Sequence, residues 1–211
     1  MHIPSADTTA LAVLPFEQAL AQALLPQKDY RSDAWLYVPP YYDEYRYILG
    51  TRGKRPLICI GINPSTASPD HLDNTLKSVE RIAHFNGFDS FMMFNLYPQR
   101  ATNPDDMEKS RNDSLHAENM KAFSYALDLY ADQDAPAVWA AWGAIIEKRR
   151  YLFDCVGDMV RCGTNRGARW FTAGKRSKAG HPHHPLYLPK NSVLEAFDPL
   201  PYINSFLTPT I

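Results

Sequence analysis

Cysteine is scarce in this chain of 211 residues: Cys59, Cys155 and Cys162 are its only three, and no two of them form a CxxC pair. That count excludes a disulfide framework and a four-thiolate metal cluster. No run of about 20 apolar residues is present to span a membrane. The apolar stretch within MHIPSADTTALAVLPFEQALAQALL lacks a basic lead and is broken by Glu17, so no secretory leader is expected. Charge of one sign is lacking too, since 22 Lys and Arg face 23 Asp and Glu for a formal net charge of -1. A tight, indiscriminate duplex binder is usually basic, and this chain is not. There is no GxSxG elbow, no internal repeat and no linker. The expectation is one cytoplasmic domain over residues 1–211, with reduced cysteines and no cofactor.

The hydrophobic share of 45% is enough for a sizeable core, and 17 prolines imply many shaped loops. Residues 15–25 have helical spacing behind a proline. The Tyr-rich stretch 36–50 suits an edge strand or a loop on the body. RPLICIGINP (55–64) has the pattern of a buried strand meeting a turn, as do FMMFNLY (91–97), APAVWAAWG (135–143) and ARWFTAG (168–174). Between and after them lie predicted helices over 73–88, 112–131, 144–157 and 191–206. Asp73 is placed to cap the first of these and Gly87 to stop it. The alternation implies a three-layer αβα sandwich around a central, mainly parallel sheet of four strands.

In such sheets ligands bind beyond the carboxyl ends of the strands. The loops there carry Gly61, Asn63, Ser65 and Thr66 after the first strand, and Asn95, Tyr97 and Arg100 after the second. Trp142 follows the third, and Lys178, His181, His183, His184 and Leu186 follow the fourth. Each residue has an ordinary structural reading: Asn-Pro as a turn, Asp73 as a cap, Trp139 and Trp142 as core. Taken together, Asn63, Asn95 and a histidine from 181–184 would form an uncharged, hydrogen-bonding pocket suited to the edge of a heterocycle. His181, His183 and His184 could also be read as metal ligands, but ligands normally come from more than one element, and no metal is expected.

GINPS (61–65) resembles the GINPG motif of the mismatch-specific uracil/thymine DNA glycosylases. FMMFNLYPQRAT (91–102), AVWAAWGAII (137–146) and HPHHPLYL (181–188) resemble their second strand, their Trp-Gly strand and their HPSPL loop, in the same order. A closer match is to domain-of-unknown-function family 1643 (DUF1643). Its pattern is met by RYIL (46–49), NPST (63–66), DNT (73–75), NL (95–96), RAT (100–102), ND (112–113), WG (142–143) and KAGHPHHPLYL (178–188). The chain is identified as a member of that family over about residues 45–190.

The glycosylase resemblance implies a uracil-DNA glycosylase-like fold and a set of roles. Asn63 would position the attacking water, Asn95 would read the base edge, and His184 or His181 would donate to the leaving base. Leu186 would prop open the vacated stack. Ser65 stands where the glycosylases have a second glycine, and Asp73 and Thr75 add polar groups at the rim that their motif lacks. Two readings follow: hydrolysis of an N-glycosidic bond in single-stranded or damaged DNA, or binding and processing of a free nucleotide or nucleoside. An acid-free segment from Arg161 to His184, with six Lys and Arg, favours the first; the near-zero net charge favours the second. Oligomeric state is not legible.

Overall fold

The computed structural model describes residues 1–129 and 135–207. Among these, seven strands form one mixed sheet. They are β1 (Trp35–Val38), β2 (Ile48–Thr51), β3 (Pro56–Gly61), β4 (Ser90–Asn95), β5 (Ala137–Ala140), β6 (Arg169–Ala173) and β7 (Leu194–Ala196), in the order β1-β2-β4-β3-β5-β6-β7. β3 pairs in parallel with both β4 and β5, and β5 with β6. The remaining pairings, β1–β2, β2–β4 and β6–β7, are antiparallel. The four-stranded sheet expected from the apolar runs is therefore too small: antiparallel strands extend both edges.

Every residue of β3, β4 and β5 is buried, because helices cover both faces of the sheet. One face packs on α1 (Phe16–Ala23), α3 (Asp113–Asp128), α4 (Tyr151–Asn165) and α5 (Pro199–Leu207), with Phe94, Phe123, Trp142 and Val160 at the centre of the core. The other packs on α2 (Asn74–Phe85), with Leu76, Ile82, Phe91 and Trp139 between them. The caps of α2 and α3 follow their sequences. Asp73 accepts the Leu76 N–H at 2.9 Å, and Asn112 accepts those of Ser114 and Leu115.

Three expectations are corrected in detail. The stretch 36–50 takes in most of two strands, β1 and β2, joined by residues 39–47, where one edge strand or a loop was expected. The helix expected over 144–157 is a short 3-10 turn, Ala144–Lys148, followed by α4, which starts at Tyr151. Extended backbone at Arg149 separates the two, and α4 runs through Gly157 to Asn165 because its apolar stripe continues to Val160. The closing helix over 191–206 loses its first turns to β7, and α5 begins at Pro199, whose missing N–H costs nothing in a first turn. The α3 helix starts as expected, while positions 130 and 131 of the predicted 112–131 span lie outside the described residues.

The sharp turn after β5 depends on Gly143, at φ 65° and ψ -174°, a region that only glycine adopts freely. A Cβ there would also lie 3.3 Å from the Cβ of His184. Gly143→Ala is expected to destabilise the protein by about 1–3 kcal/mol in urea unfolding. A stability within error of the original would show that the turn tolerates a side chain.

Candidate functional site

A cleft of about 420 Å³ opens at the carboxyl ends of β3 and β4, a size suited to a small molecule. The parallel pairing of these strands continues past their ends, with Leu96 and Tyr97 N–H donating to the Gly61 and Ile62 carbonyls. The loop after β3 and the loop after β4 therefore leave the sheet side by side. They stay joined, since the Ala101 N–H donates to the Pro64 carbonyl and Asn63 Nδ2 to the Ala101 carbonyl at 2.7 Å. Gly61 permits this close approach: a Cβ on it would meet Met93 Cε at 2.6 Å and the Asn95 side-chain amide at 3.1 Å.

Of the residues singled out in the sequence, Gly61, Asn63, Ser65, Thr66, Asp73, Thr75, Asn95, His184 and Leu186 line this cleft. Asn63 spends its amide N–H groups on the carbonyls of Ala101 and Pro64, which leaves Oδ1 as its acceptor. Asn95 is buried, and hydrogen bonding assigns its amide nitrogen to the side facing the Asn63 and Phe94 carbonyls at 3.2 and 3.3 Å, an assignment that leaves its oxygen as an unused acceptor. Asn119 fixes the Asn95 backbone by donating to its carbonyl. His184 caps the short turn Pro185–Tyr187, its Nδ1 accepting the Leu186 N–H at 3.3 Å. That bond assigns the proton of the neutral ring to Nε2.

Five of the expected residues do not line the cleft. Tyr97 is buried behind it, donating to the Glu108 carboxylate and accepting the Asn112 N–H. Trp142 is core, with its Nε1 donating to the Tyr202 hydroxyl. His181 is buried between that hydroxyl at 2.8 Å and Glu147 at 2.7 Å, so it ties α5 to the 3-10 turn after β5. The three histidines thus have three different environments, since His183 bonds the backbone carbonyl of His184. Lys178 is exposed in the loop after β6. Arg100 is fully buried, and it holds the carbonyls of Ser65 and Ala67 and the Tyr37 hydroxyl, with the Tyr42 ring 4.2 Å from its guanidinium carbon.

The cleft also takes in residues that the sequence reading passed over, chiefly Arg46, Asn74, Met93, Thr102 and Tyr187. Tyr187 stands at the mouth, 77% exposed. Arg46 had a signal: it is an arginine between two tyrosines in a stretch that alternates like a strand. Its segment extends the β2–β4 pairing, since Arg46 N–H donates to the Pro98 carbonyl and Arg100 N–H to that of Glu44.

Burial first, and the neighbouring His183 second, hold His184 below the usual histidine value of 6.5, against an upward pull from Asp73. Burial lowers His116 in the same direction. For a depressed pKa the stabilising contribution is complete above pH 6.5 and is lost as pH falls through the folded value. An NMR titration of the ring protons is expected to give His184 a midpoint below 6.5. A midpoint at or above that value would contradict the neutral donor described above.

No curated protein and no solved structure matches the chain. The family model described as a protein of unknown function, DUF1643, matches residues 46–186, a span that holds Arg46, Asn63, Asn95 and His184. The chain belongs to the DUF1643 family.

Proposed function

We propose that the cleft binds the base of a nucleoside or nucleotide, and that it hydrolyses the N-glycosidic bond of that ligand. The observation that carries this reading is the convergence of Asn63, Asn95 and His184 in one cleft from three separate segments: the loop after β3, the end of β4 and the loop after β6. Asn95 offers an oxygen acceptor, His184 a neutral Nε2–H donor, and neither is charged. Matched, uncharged donors and acceptors suit the edge of a heterocycle, because a base lacking the right groups leaves a buried partner unpaired.

For hydrolysis, Asn63 Oδ1 holds a water against the sugar. The water oxygen forms the new C–O bond as the C–N bond breaks and its electron pair passes to the base. A water proton ends on the departing base. His184 Nε2–H stabilises the negative charge that develops on the base carbonyl, and Asp73, whose Oδ1 caps α2, keeps a second oxygen that takes the one proton the water loses and gives it up again, so that the released base is the species protonated at the end. The Asn63 amide is too poor a base for that step and only positions the water. The likeness of the sequence motifs to the uracil/thymine DNA glycosylases supports this choice of reaction.

One feature favours a free nucleoside or nucleotide over a polymer. Within the basic segment, Arg161 is paired with Asp158 and Arg166 with Asp128. These arginines are therefore partly neutralised before any phosphate arrives.

The test is release of free base from uracil-, hypoxanthine- and alkylbase-containing oligonucleotides and from the corresponding nucleosides. Release is expected, and His184→Ala is expected to lower kcat by about 100-fold, with Asn63→Ala also impaired. No release from any of these substrates, or equal rates in both variants and the original protein, would overturn hydrolysis at this site.

A further inference from the structure

Arg46 and Arg100 are 1% and 0% exposed, yet neither guanidinium meets a carboxylate among the described residues. Instead both donate to one acceptor, the carbonyl of Ala67, at 3.1 and 3.2 Å. The Nε of each has no partner. Arg100 has other bonds to spend its protons on, whereas Arg46 has only that one, and it is Arg46 that lines the cleft. Two like charges this close repel. Burial first, then Arg100, brings the Arg46 pKa down to about 9, which still leaves it charged at neutral pH. Tyr37 and Asp73 pull the other way, yet no carboxylate among the described residues bonds either guanidinium, and a buried cation without a bonded counter-charge is costly.

The lining of the same cleft includes the start of α2. Its Asn74 and Thr75 N–H groups donate to no acceptor among the described residues, and Asp73 takes only the Leu76 N–H. Helix N-termini present free N–H groups and a positive partial charge. The Asp73 carboxylate acts on Arg46 from a distance, without a hydrogen bond to it, so Arg46 and Arg100 together keep a net charge of one that no side chain in direct contact answers.

We propose that Arg46 and the first turn of α2 together hold a phosphoryl group of the ligand. The binding of a base in this cleft is the reading argued above, and this inference rests on it for the identity of the ligand's other half. The phosphoryl group belongs either to a nucleoside monophosphate or to a nucleic-acid strand, and the chemistry of the hold is the same for both.

The experiment measures binding to the full chain by calorimetry and thermal melting. The probes are inorganic phosphate, acetate, the four common nucleosides, their 5′-monophosphates and a short single-stranded oligonucleotide, all at one ionic strength. Phosphate is expected to raise the melting temperature more than acetate does. At least one monophosphate or the oligonucleotide is expected to bind about tenfold tighter than its nucleoside, as a charge-assisted bond would give. Arg46→Met should abolish that advantage. The ligand-free variant should melt no lower than the original, since Arg100 still serves the Ala67 carbonyl. Asn74→Pro removes an N–H at a helix position where proline is tolerated, and should cost about two- to fivefold in phosphate affinity. It serves as the second variant if Arg46→Met does not fold.

Equal effects of phosphate and acetate, or a phosphate advantage that survives in both variants, would overturn the inference. Phosphate held through Arg46 with no added affinity from any base supports the anion site and sinks the nucleobase reading. Nucleosides that bind as tightly as their phosphorylated forms do the reverse. The tighter of monophosphate and oligonucleotide identifies the source.

Discussion

Two buried guanidiniums share the carbonyl oxygen of Ala67, and the geometry of the cleft depends on that meeting. Between Ile62 and Asp73 the loop after β3 has no helix or strand, only a tight turn closed by the Ser68–His71 bridge, so the path of its first half is fixed from outside it. Arg100 does this from the loop after β4, through the carbonyls of Ser65 and Ala67, and Arg46 does it from the segment before β2. Each donor is itself anchored by backbone pairing between residues 44–46 and 98–100. The antiparallel extension of the sheet is thus part of the site, because it delivers the two cations that hold the Asn63 loop. Burial makes these bonds strong, and it also makes the charges expensive to leave unmatched.

The central strands were legible in the sequence because a strand covered on both faces is a nearly unbroken apolar run, as LICI and FMMF are. The starts of α2 and α3 were legible because Asp73 and Asn112 act within three residues of themselves. What escaped was set by long-range partners. β1 and β2 are four residues each, and their identity as two strands comes from pairing with one another and with β4. β7 is three residues long, mostly exposed, and exists only by its pairing with β6.

Site residues divide along the same line. A strand-end position could be assigned from the chain alone, and Gly61, Asn63, Asn95 and His184, placed there by the sequence, do line the cleft. Whether a side chain in such a loop turns toward solvent space or toward the body could not. Arg100 and Tyr97 sit between cleft residues in sequence but are consumed by internal hydrogen bonds, to Ala67 and Glu108 among others. His181 and His184, three positions apart, have separate work: one buried in a link from Glu147 to Tyr202, the other at the cleft wall. Nothing in HPHHP distinguishes them without the positions of α5 and the turn after β5.

The near-zero net charge of the chain has little bearing on what the cleft accepts. Exposed ion pairs such as Arg31–Asp33 and Lys148–Asp105 add to that balance while salt and water screen them. Arg46 contributes a single charge to the same sum, but in a place where water is largely excluded and its field is weakly screened. Around it the cleft presents Asn63, Asn95, neutral His184 and the Asp73 carboxylate, only the last of which carries charge. On the proposed reading a ligand would be sorted by two unlike criteria within one small space: hydrogen-bond matching to uncharged side chains, and the presence of an anion to answer a buried cation. A ligand that satisfied one and failed the other would leave a buried group unmatched, and a cleft of this size would then discriminate without a large contact area.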